Sequence, residues 1–370
     1  MSGKKIGFLK GVRILDLADE KGSLAGRLLA DLGAEITRVD TPQVDAQKQP
    51  GGSPEEAPLR LSFLYSNIHK KNIRLTLHTE EGKQIFERLV RRTDALITTA
   101  PVGYLESLNL GPSRLQQVNP RMVHLFITAF GLTGPKRWYA SSATTASASG
   151  GQMFACRDGS GRPVPLCGQQ PFYTASLFGA ISILLNLRKR AITGTGGTMD
   201  LSVQEAVAST LDHALVDHFS RGGIPRCRNG YGYDPNFPVL PCRDGYMQLT
   251  ILQNWETLIE ILEAENSAGD LSENRWRDPA FREEHFSHVV EGIKRWTMSH
   301  TRKELLELGQ AMRFPWAPVA EPAEVLESAQ LDFRHFFIRT AAPTVGTEII
   351  LPGIPYIFRA CAPMDPGPGP

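Results

Sequence analysis

The sequence predicts an α/β protein, with a Rossmann-like, doubly wound large domain and a smaller α+β domain. Two observations carry that expectation. Short apolar runs alternate with amphipathic stretches as far as Ala129, and after residue 224 the texture turns to loops of Gly, Pro and Asn. Alternation of that kind argues for a parallel sheet covered by helices. A chain of 370 residues is also long enough to bury two cores.

Taken in order, Gly11-Val-Arg-Ile-Leu-Asp-Leu17 reads as a first strand. Leu24, Leu28, Leu29 and Leu32 then fall at helical spacing, and Gly33 suits the end of that helix. Ala34 to Val39 completes a βαβ unit, and Thr41 to Pro58 is expected as a surface loop. Ile73 to Leu77 is a candidate strand. Thr79-Glu-Glu-Gly82 opens a helix through Arg92, with acids in its first turn and bases in its last, as the helix dipole favours. Asp94 to Thr98 and Met122 to Ala129 read as further buried strands. Gln204 to Arg221 is a helix candidate, and Tyr246 to Leu252 with helical segments from Asn254 to Gln310 builds the small domain. Ile349 to Phe358 reads as a strand returning to the large domain. The expected boundaries are 1–205 and 335–370 for the large domain, 206–224 for a linker helix, and 225–334 for the small domain with its linker.

Composition narrows the function. Forty Lys and Arg stand against 39 Asp and Glu, a formal charge of +1, which argues against a nucleic-acid partner. The apolar stretch from Ser176 to Leu187 falls short of the roughly 20 residues that a membrane span needs. Met1 to Gly11 carries charge but no apolar core of signal-peptide length, so the protein is expected in the cytoplasm. The five cysteines (Cys156, Cys167, Cys227, Cys242, Cys361) form no C-x-x-C pair and read as reduced thiols. Neither His213/His218 nor His285/His288 sits beside a cysteine, and no metal is assigned. From Ser107 to Met199, Asp158 is the only carboxylate beside nine Lys and Arg. Such a segment suits buried strands with Gly/Ser/Thr loops, or a surface for anionic ligands or an acidic partner.

Seven motifs occur in a fixed order. They are Gly11–Leu17, Leu29-Ala-Asp-Leu-Gly-Ala34, Asn67-Ile-His-Lys-Lys71, Phe130-Gly-Leu-Thr-Gly-Pro135, Gly194-Thr-Gly-Gly-Thr-Met-Asp200, Asp244-Gly-Tyr246 and Pro315-Trp-Ala-Pro-Val319. Together they resemble the family III CoA-transferases over nearly the whole chain. The resemblance implies a Rossmann-like large domain completed by the C-terminus, a small domain inserted by long linkers, and two chains that interlock as a dimer. It also implies a coenzyme A thioester as substrate and no tightly bound cofactor.

Moving CoA between two carboxylic acids needs a nucleophile that forms an anhydride and then a thioester, a task for a carboxylate. In the family this is an Asp in a Gly-x-Pro-Ile-Gly-Asp-like turn before a helix. Here the turn reads Gly168-Gln-Gln-Pro-Phe-Tyr173, and the position falls on Phe172 or Tyr173. No Asp or Glu occurs from Gly159 to Met199, so no catalytic residue is assigned. A second acidic position of the family falls on Ala143, and the His that its racemases place beside it is Ser142. Ser142 with Phe172 or Tyr173 cannot shuttle a proton at neutral pH.

Two family positions that hold CoA through Lys and Arg are His78 and Ser107 here. The family's Glu-Asn-Phe has become Thr98-Thr-Ala100. Lys70 and Lys71 remain as candidate CoA ligands, beside the plainer reading of a solvated basic turn. Cys167 lies just ahead of the altered turn and either takes an acyl group or is a core thiol. Ser141, Ser142, Ser147 and Ser149 lack an evident base and read as a small-residue turn or a tight packing surface.

This pattern implies a non-catalytic subunit. Its partner would be a catalytic family III CoA-transferase subunit that carries the Asp and binds the CoA, in a heterodimer or higher heteromer. Family members that activate aromatic or dicarboxylic acids, succinyl-CoA:benzylsuccinate CoA-transferase among them, are built this way. Leu17-Ala-Asp-Glu-Lys-Gly22, without the family's Ala-Gly-Pro, looks like that branch. The loop Asn229–Asp234, centred on Gly230, Tyr231 and Gly232, is the candidate lid over the partner's site, or else a surface linker. The alternatives are a homodimeric acyl-CoA enzyme with an altered mechanism and a binding protein on the same scaffold.

Overall fold

Six short strands pair into one parallel sheet. They are β1 (Arg13–Leu17), β2 (Glu35–Asp40), β3 (Lys70–Arg74), β4 (Ala95–Thr98), β5 (Val123–Thr128) and β6 (Gly197–Ser202), in the order β3-β2-β1-β4-β5-β6. Ile14 stands level with Ile36 on one side and with Ala95 on the other. The computed structural model describes residues 7–41, 57–156, 158, 160–221, 237–342 and 347–358. The chain divides into one unit of Met1–Gly150, Leu166–Thr210 and Ala329–Pro370 and a second of Gly151–Pro165 and Leu211–Ser328.

In the first unit, side chains alternate across the sheet. Ile14, Ile36, Ile97 and Leu125 therefore share a core on one face, while Leu15, Leu96 and Phe126 share another on the opposite face. Helix α1 (Ser23–Asp31) covers the first face with Ala25 and Leu29. Helix α2 (Ala57–Asn67) packs against α1, and α3 (Glu80–Val90) covers the second face with Phe86 and Val90. The Thr79 hydroxyl caps α3 by accepting from the Gly82 N–H at 3.1 Å. Helix α4 (Ala143–Ser149), the 24-residue α5 (Gln170–Thr193) and α6 (Val203–Ala208) complete the first face. The central strands β4 and β5 are buried along their whole length, as a parallel sheet covered on both sides requires.

The second unit contains α7 (Asp212–Arg221), a small antiparallel sheet and three longer helices. The sheet is β7 (Val239–Cys242), β8 (Gly245–Gln248) and β9 (Ala317–Pro318). Helices α8 (Trp255–Ala264), α9 (Phe286–Thr297) and α10 (Arg302–Ala311) enclose a core of Leu258, Leu262, Val290, Ile293, Trp296 and Trp316. Both indole N–H groups find acceptors: Trp296 donates to Glu265 at 2.8 Å and Trp316 to the Thr250 carbonyl at 3.1 Å. No helix among the described residues is long and apolar enough to cross a membrane.

Four expectations change. Strand β3 begins at Lys70 rather than Ile73, because the Lys70 side chain is drawn inward by a buried carboxylate that apolar pattern alone does not reveal. The helix expected over 204–221 is two helices. The Ser209 and Thr210 hydroxyls donate back to the carbonyls of Ala206 (2.8 Å) and Val207 (2.7 Å) where α6 ends, and α7 belongs to the second unit. Residues 151–165, expected in the large domain, also belong to the second unit. The strand expected over 349–358 ends at Pro352: β11 (Thr347–Pro352) lies in the first unit, as expected, and pairs antiparallel with β10 (Phe337–Ala342) in a ribbon separate from the parallel sheet.

Candidate functional site

Strand order reverses between β1 and β4, so the crevice beyond their C-terminal ends is where a doubly wound sheet offers a ligand site. The residues that turn there are tied to one another. The Ala18 N–H donates to Asp16 at 2.9 Å, the Asp19 N–H donates to the Thr99 hydroxyl at 2.9 Å, and the Lys21 ammonium pairs with Asp19. Gly22 lies so near Thr99 and Ile127 that a Cβ would stand 2.9 Å from a methyl group of each. The Ser176 hydroxyl, on α5, donates to the Lys21 carbonyl at 3.3 Å. The turn after β1 is therefore pinned to both β4 and α5.

The start of α5 is the place that the chemistry singles out. Gly168 takes a left-handed φ of +75°, Gln169 caps the helix without a side-chain hydrogen bond, and the first turn carries no acid. Phe172 is 3% exposed and packs in the core that holds Ala18, Ala25 and Ile127, while Tyr173 is half-buried. An apolar ring thus fills one of the two positions to which the nucleophile maps. Cys167 is exposed ahead of this turn, which separates it from the core thiol that one reading expected.

At the second acidic position, Ala143 is the first residue of α4. Ser142 caps that helix reciprocally with Thr145, accepting from its N–H at 3.3 Å while its own N–H donates to the Thr145 hydroxyl at 2.7 Å. The Ser141 hydroxyl meets the same Thr145 oxygen at 3.0 Å. These hydroxyls hold a helix end; none meets an acid or a histidine.

Lys70 departs from the role expected of it. Its ammonium donates to Asp16 (2.6 Å), to the Ser23 carbonyl (2.6 Å) and to the Asn67 side chain (3.0 Å), and its side chain is fully buried. All three donors are used, so none is left for a phosphate. Burial pulls its pKa below the ordinary lysine value, against the opposing pull of Asp16. Gly26 makes room for this pair, since a Cβ there would lie 2.5 Å from Asp16.

A second buried group adjoins it. Arg27 donates to Asp31 (3.1 Å), to the Tyr65 carbonyl (2.6 Å) and to the Pro352 carbonyl (3.2 Å), and His69 stands 3.5 Å from Asp31. Sequence reasoning missed this network. The signal was present in Asn67-Ile-His-Lys-Lys71, which supplies three of its members, and in an Asp set within the apolar strand β1. Lys71, by contrast, is exposed on the edge strand β3, with β2 between it and the switch point.

The other candidate positions are occupied by local contacts. His78 is exposed, with its ring 6.1 Å from Tyr104, and the Ser107 hydroxyl donates to the Tyr104 carbonyl at 2.7 Å. The Thr98 hydroxyl accepts from the Ala100 N–H at 3.2 Å. Gly230, Tyr231 and Gly232 lie outside the described residues. Of the histidine pairs, His288 meets Asp270 at 2.9 Å and His285 meets the Phe281 carbonyl at 3.0 Å. Among the described residues no group of three or more His, Cys, Asp or Glu is placed to hold a metal ion.

Residues 9–368 match the model of CoA-transferase family III. The chain belongs to that family. It is 30% identical over 359 residues to the succinyl-CoA:(R)-benzylsuccinate CoA-transferase subunit BbsE of Thauera aromatica, a match that covers 94% of this chain and 87% of that protein. It is 29% identical over 355 residues to the succinyl-CoA–L-malate CoA-transferase beta subunit of Chloroflexus aurantiacus, covering 94% and 86%. The fold is that of a CAIB/BAIF family protein from Brucella suis, with a TM-score of 0.86 at 22% identity and 99% and 96% of the two chains covered. Family III relatives are transferases that act on CoA thioesters, and some of them are named as subunits. The parallel sheet runs from β1 to β6, and the first turn of α5 holds no acid.

Proposed function

We propose that this chain is the non-catalytic subunit of a heteromeric family III CoA-transferase. One observation carries the reading: the start of α5 holds a buried Phe172 and no acid, so this chain has no carboxylate there to form the anhydride. The partner is a catalytic family III subunit that bears the Asp and binds the CoA thioester, in a heterodimer or higher heteromer. The full use of Lys70 within the fold supports placing CoA on the partner.

The two chains interlock. CoA passes from succinyl-CoA to an aromatic or dicarboxylic acid such as benzylsuccinate, the acid named for the 30%-identical relative. The complex works in the cytoplasm.

The test is to co-express this chain with the family III homologue encoded nearest to it and to assay CoA transfer. A one-to-one complex is expected to be active when neither chain is active alone, and replacing the partner's catalytic Asp is expected to abolish all activity. Full residual activity in that variant overturns the reading. The exposure of Cys167 favours a second one, a homodimeric acyl-CoA enzyme with an altered mechanism. Its signature is turnover by the chain alone that is lost in Cys167→Ala.

A further inference from the structure

The strands of the parallel sheet end at the switch-point crevice and begin at the opposite edge, and that opposite edge is basic. Arg13 opens β1 and Arg121 stands just before β5, while Arg91 and Arg92 follow α3 and Arg188 and Lys189 lie near the end of α5. All six are exposed, and none makes an ion pair among the described residues. Three of them belong to the stretch from Ser107 to Met199, where Asp158 is the only carboxylate.

Backbone contacts join these residues into one patch. The Asn119 side chain donates to the carbonyls of Val90 and Thr93 at 2.9 Å each and accepts from the Arg121 N–H at 3.1 Å. That fixes the Arg91-Arg92 turn beside Arg121. The Arg121 guanidinium donates to the Gly194 carbonyl at 3.0 Å, where α5 ends. Lys189 reaches the start of β6, its ammonium 3.9 Å from where a Gly197 Cβ would stand. Arg190 ties the same elements together, pairing with Asp94 at 2.9 Å and donating to the Arg121 carbonyl at 3.4 Å. Asp94 also accepts from the Arg13 N–H at 2.8 Å, so this acid is spent within the edge. Glu35, level with Arg13 on β2, bounds the patch on that side.

Bases near a helix C-terminus complement its dipole, which accounts for Arg188 and Lys189. Arg13 and Arg121 stand at the starts of strands, where no comparable dipole calls for a cation. The starts of β1, β4, β5 and β6 lie side by side, about 15 Å across at the usual strand spacing, the length of about five extended residues. Guanidinium groups match carboxylates fork to fork. The whole chain carries a formal charge of only +1, so acids elsewhere balance these cations. An extended polyanion, such as a nucleic acid or a charged bilayer, meets those acids beyond the edge; a short acidic segment does not.

We propose that this edge docks a short acidic segment of another protein, about five residues rich in Asp and Glu. The surface is separate from the crevice and stands whether or not the chain is a non-catalytic subunit.

The test uses the full chain and a fluorescein-labelled peptide of eight alternating Glu and Asp residues, with fluorescence anisotropy as the readout. Binding is expected at low salt and is expected to weaken steeply as salt is added. The double variant Arg91→Glu/Arg188→Glu is expected to weaken it about tenfold or more. Arg277→Glu/Lys303→Glu makes the same change in net charge on the second unit and is expected to leave it within about twofold. Equal losses in the two variants reduce the effect to net charge and overturn the proposal, as does a wild-type chain that leaves the peptide unbound. Tighter binding of a single-stranded oligonucleotide or of phosphatidylserine vesicles, lost in Arg91→Glu/Arg188→Glu, gives the edge to a phosphate polyanion and also overturns it. Carbodiimide coupling of carboxylates to lysine amines gives an answer without substitution. Attachment of the peptide at Lys189 supports the surface, and attachment only at lysines away from this edge overturns it.

Discussion

Two places on the same face of the parallel sheet treat charge in opposite ways. Beneath α1, Asp16 and Lys70 are buried together, and the lysine's three donors all find acceptors. At the start of α5, where the resemblance to the family places its nucleophile, the buried residue is Phe172, packed among Ala18, Ala25 and Ile127. A buried charge is tolerated only when its partners are complete. The first place meets that condition entirely within the fold, and α1, β1 and β3 depend on it. At the second, an apolar ring makes no such demand. The contrast separates a buried charge that holds this scaffold together from a buried position that carries none.

The largest effect that tests the contrast is expected from Lys70→Met. It leaves Asp16 buried without its cation and is expected to cost about 3–5 kcal/mol in urea unfolding of the full chain. A change under 1 kcal/mol would break the comparison and return Lys70 to the surface as a ligand. Restoring an acid at α5 comes next. Phe172→Asp buries a carboxylate in an apolar core and is expected to destabilise the chain by about 3 kcal/mol. Tyr173→Asp, half-buried in the first turns of the helix where the dipole favours an anion, is expected to change stability by less than about 1 kcal/mol. If Phe172→Asp proves as mild as Tyr173→Asp, the pocket there is wet and the contrast narrows. The smallest effect belongs to Ser142→Ala, which removes a helix cap and is expected to cost about 1 kcal/mol. A loss of heteromer activity without that loss of stability would show Ser142 acting on substrate instead.

Local pattern was enough for the class of the fold and for most of the parallel sheet. The alternation of apolar residues marked β1, β2, β4 and β5 to within a residue or two, and Thr79 marked the start of α3. The run without Asp or Glu from Gly159 to Met199 was equally legible, because it needs no coordinates to read. The edge strand β6 was not read as a strand, since it opens on glycine and its exposure alternates.

Tertiary structure decided where each charge goes. Lys70 sits 54 positions from Asp16, and no window of sequence short enough to show periodicity contains both. The same distance argument applies to Arg27, which reaches the Pro352 carbonyl from the other end of the chain. It applies also to β11, whose pairing with β10 no apolar pattern within Thr347–Pro352 reveals. Periodicity reports which residues leave water. Which residue they meet there depends on contacts between segments far apart in the chain, and those form only when the sheet and its helices are assembled.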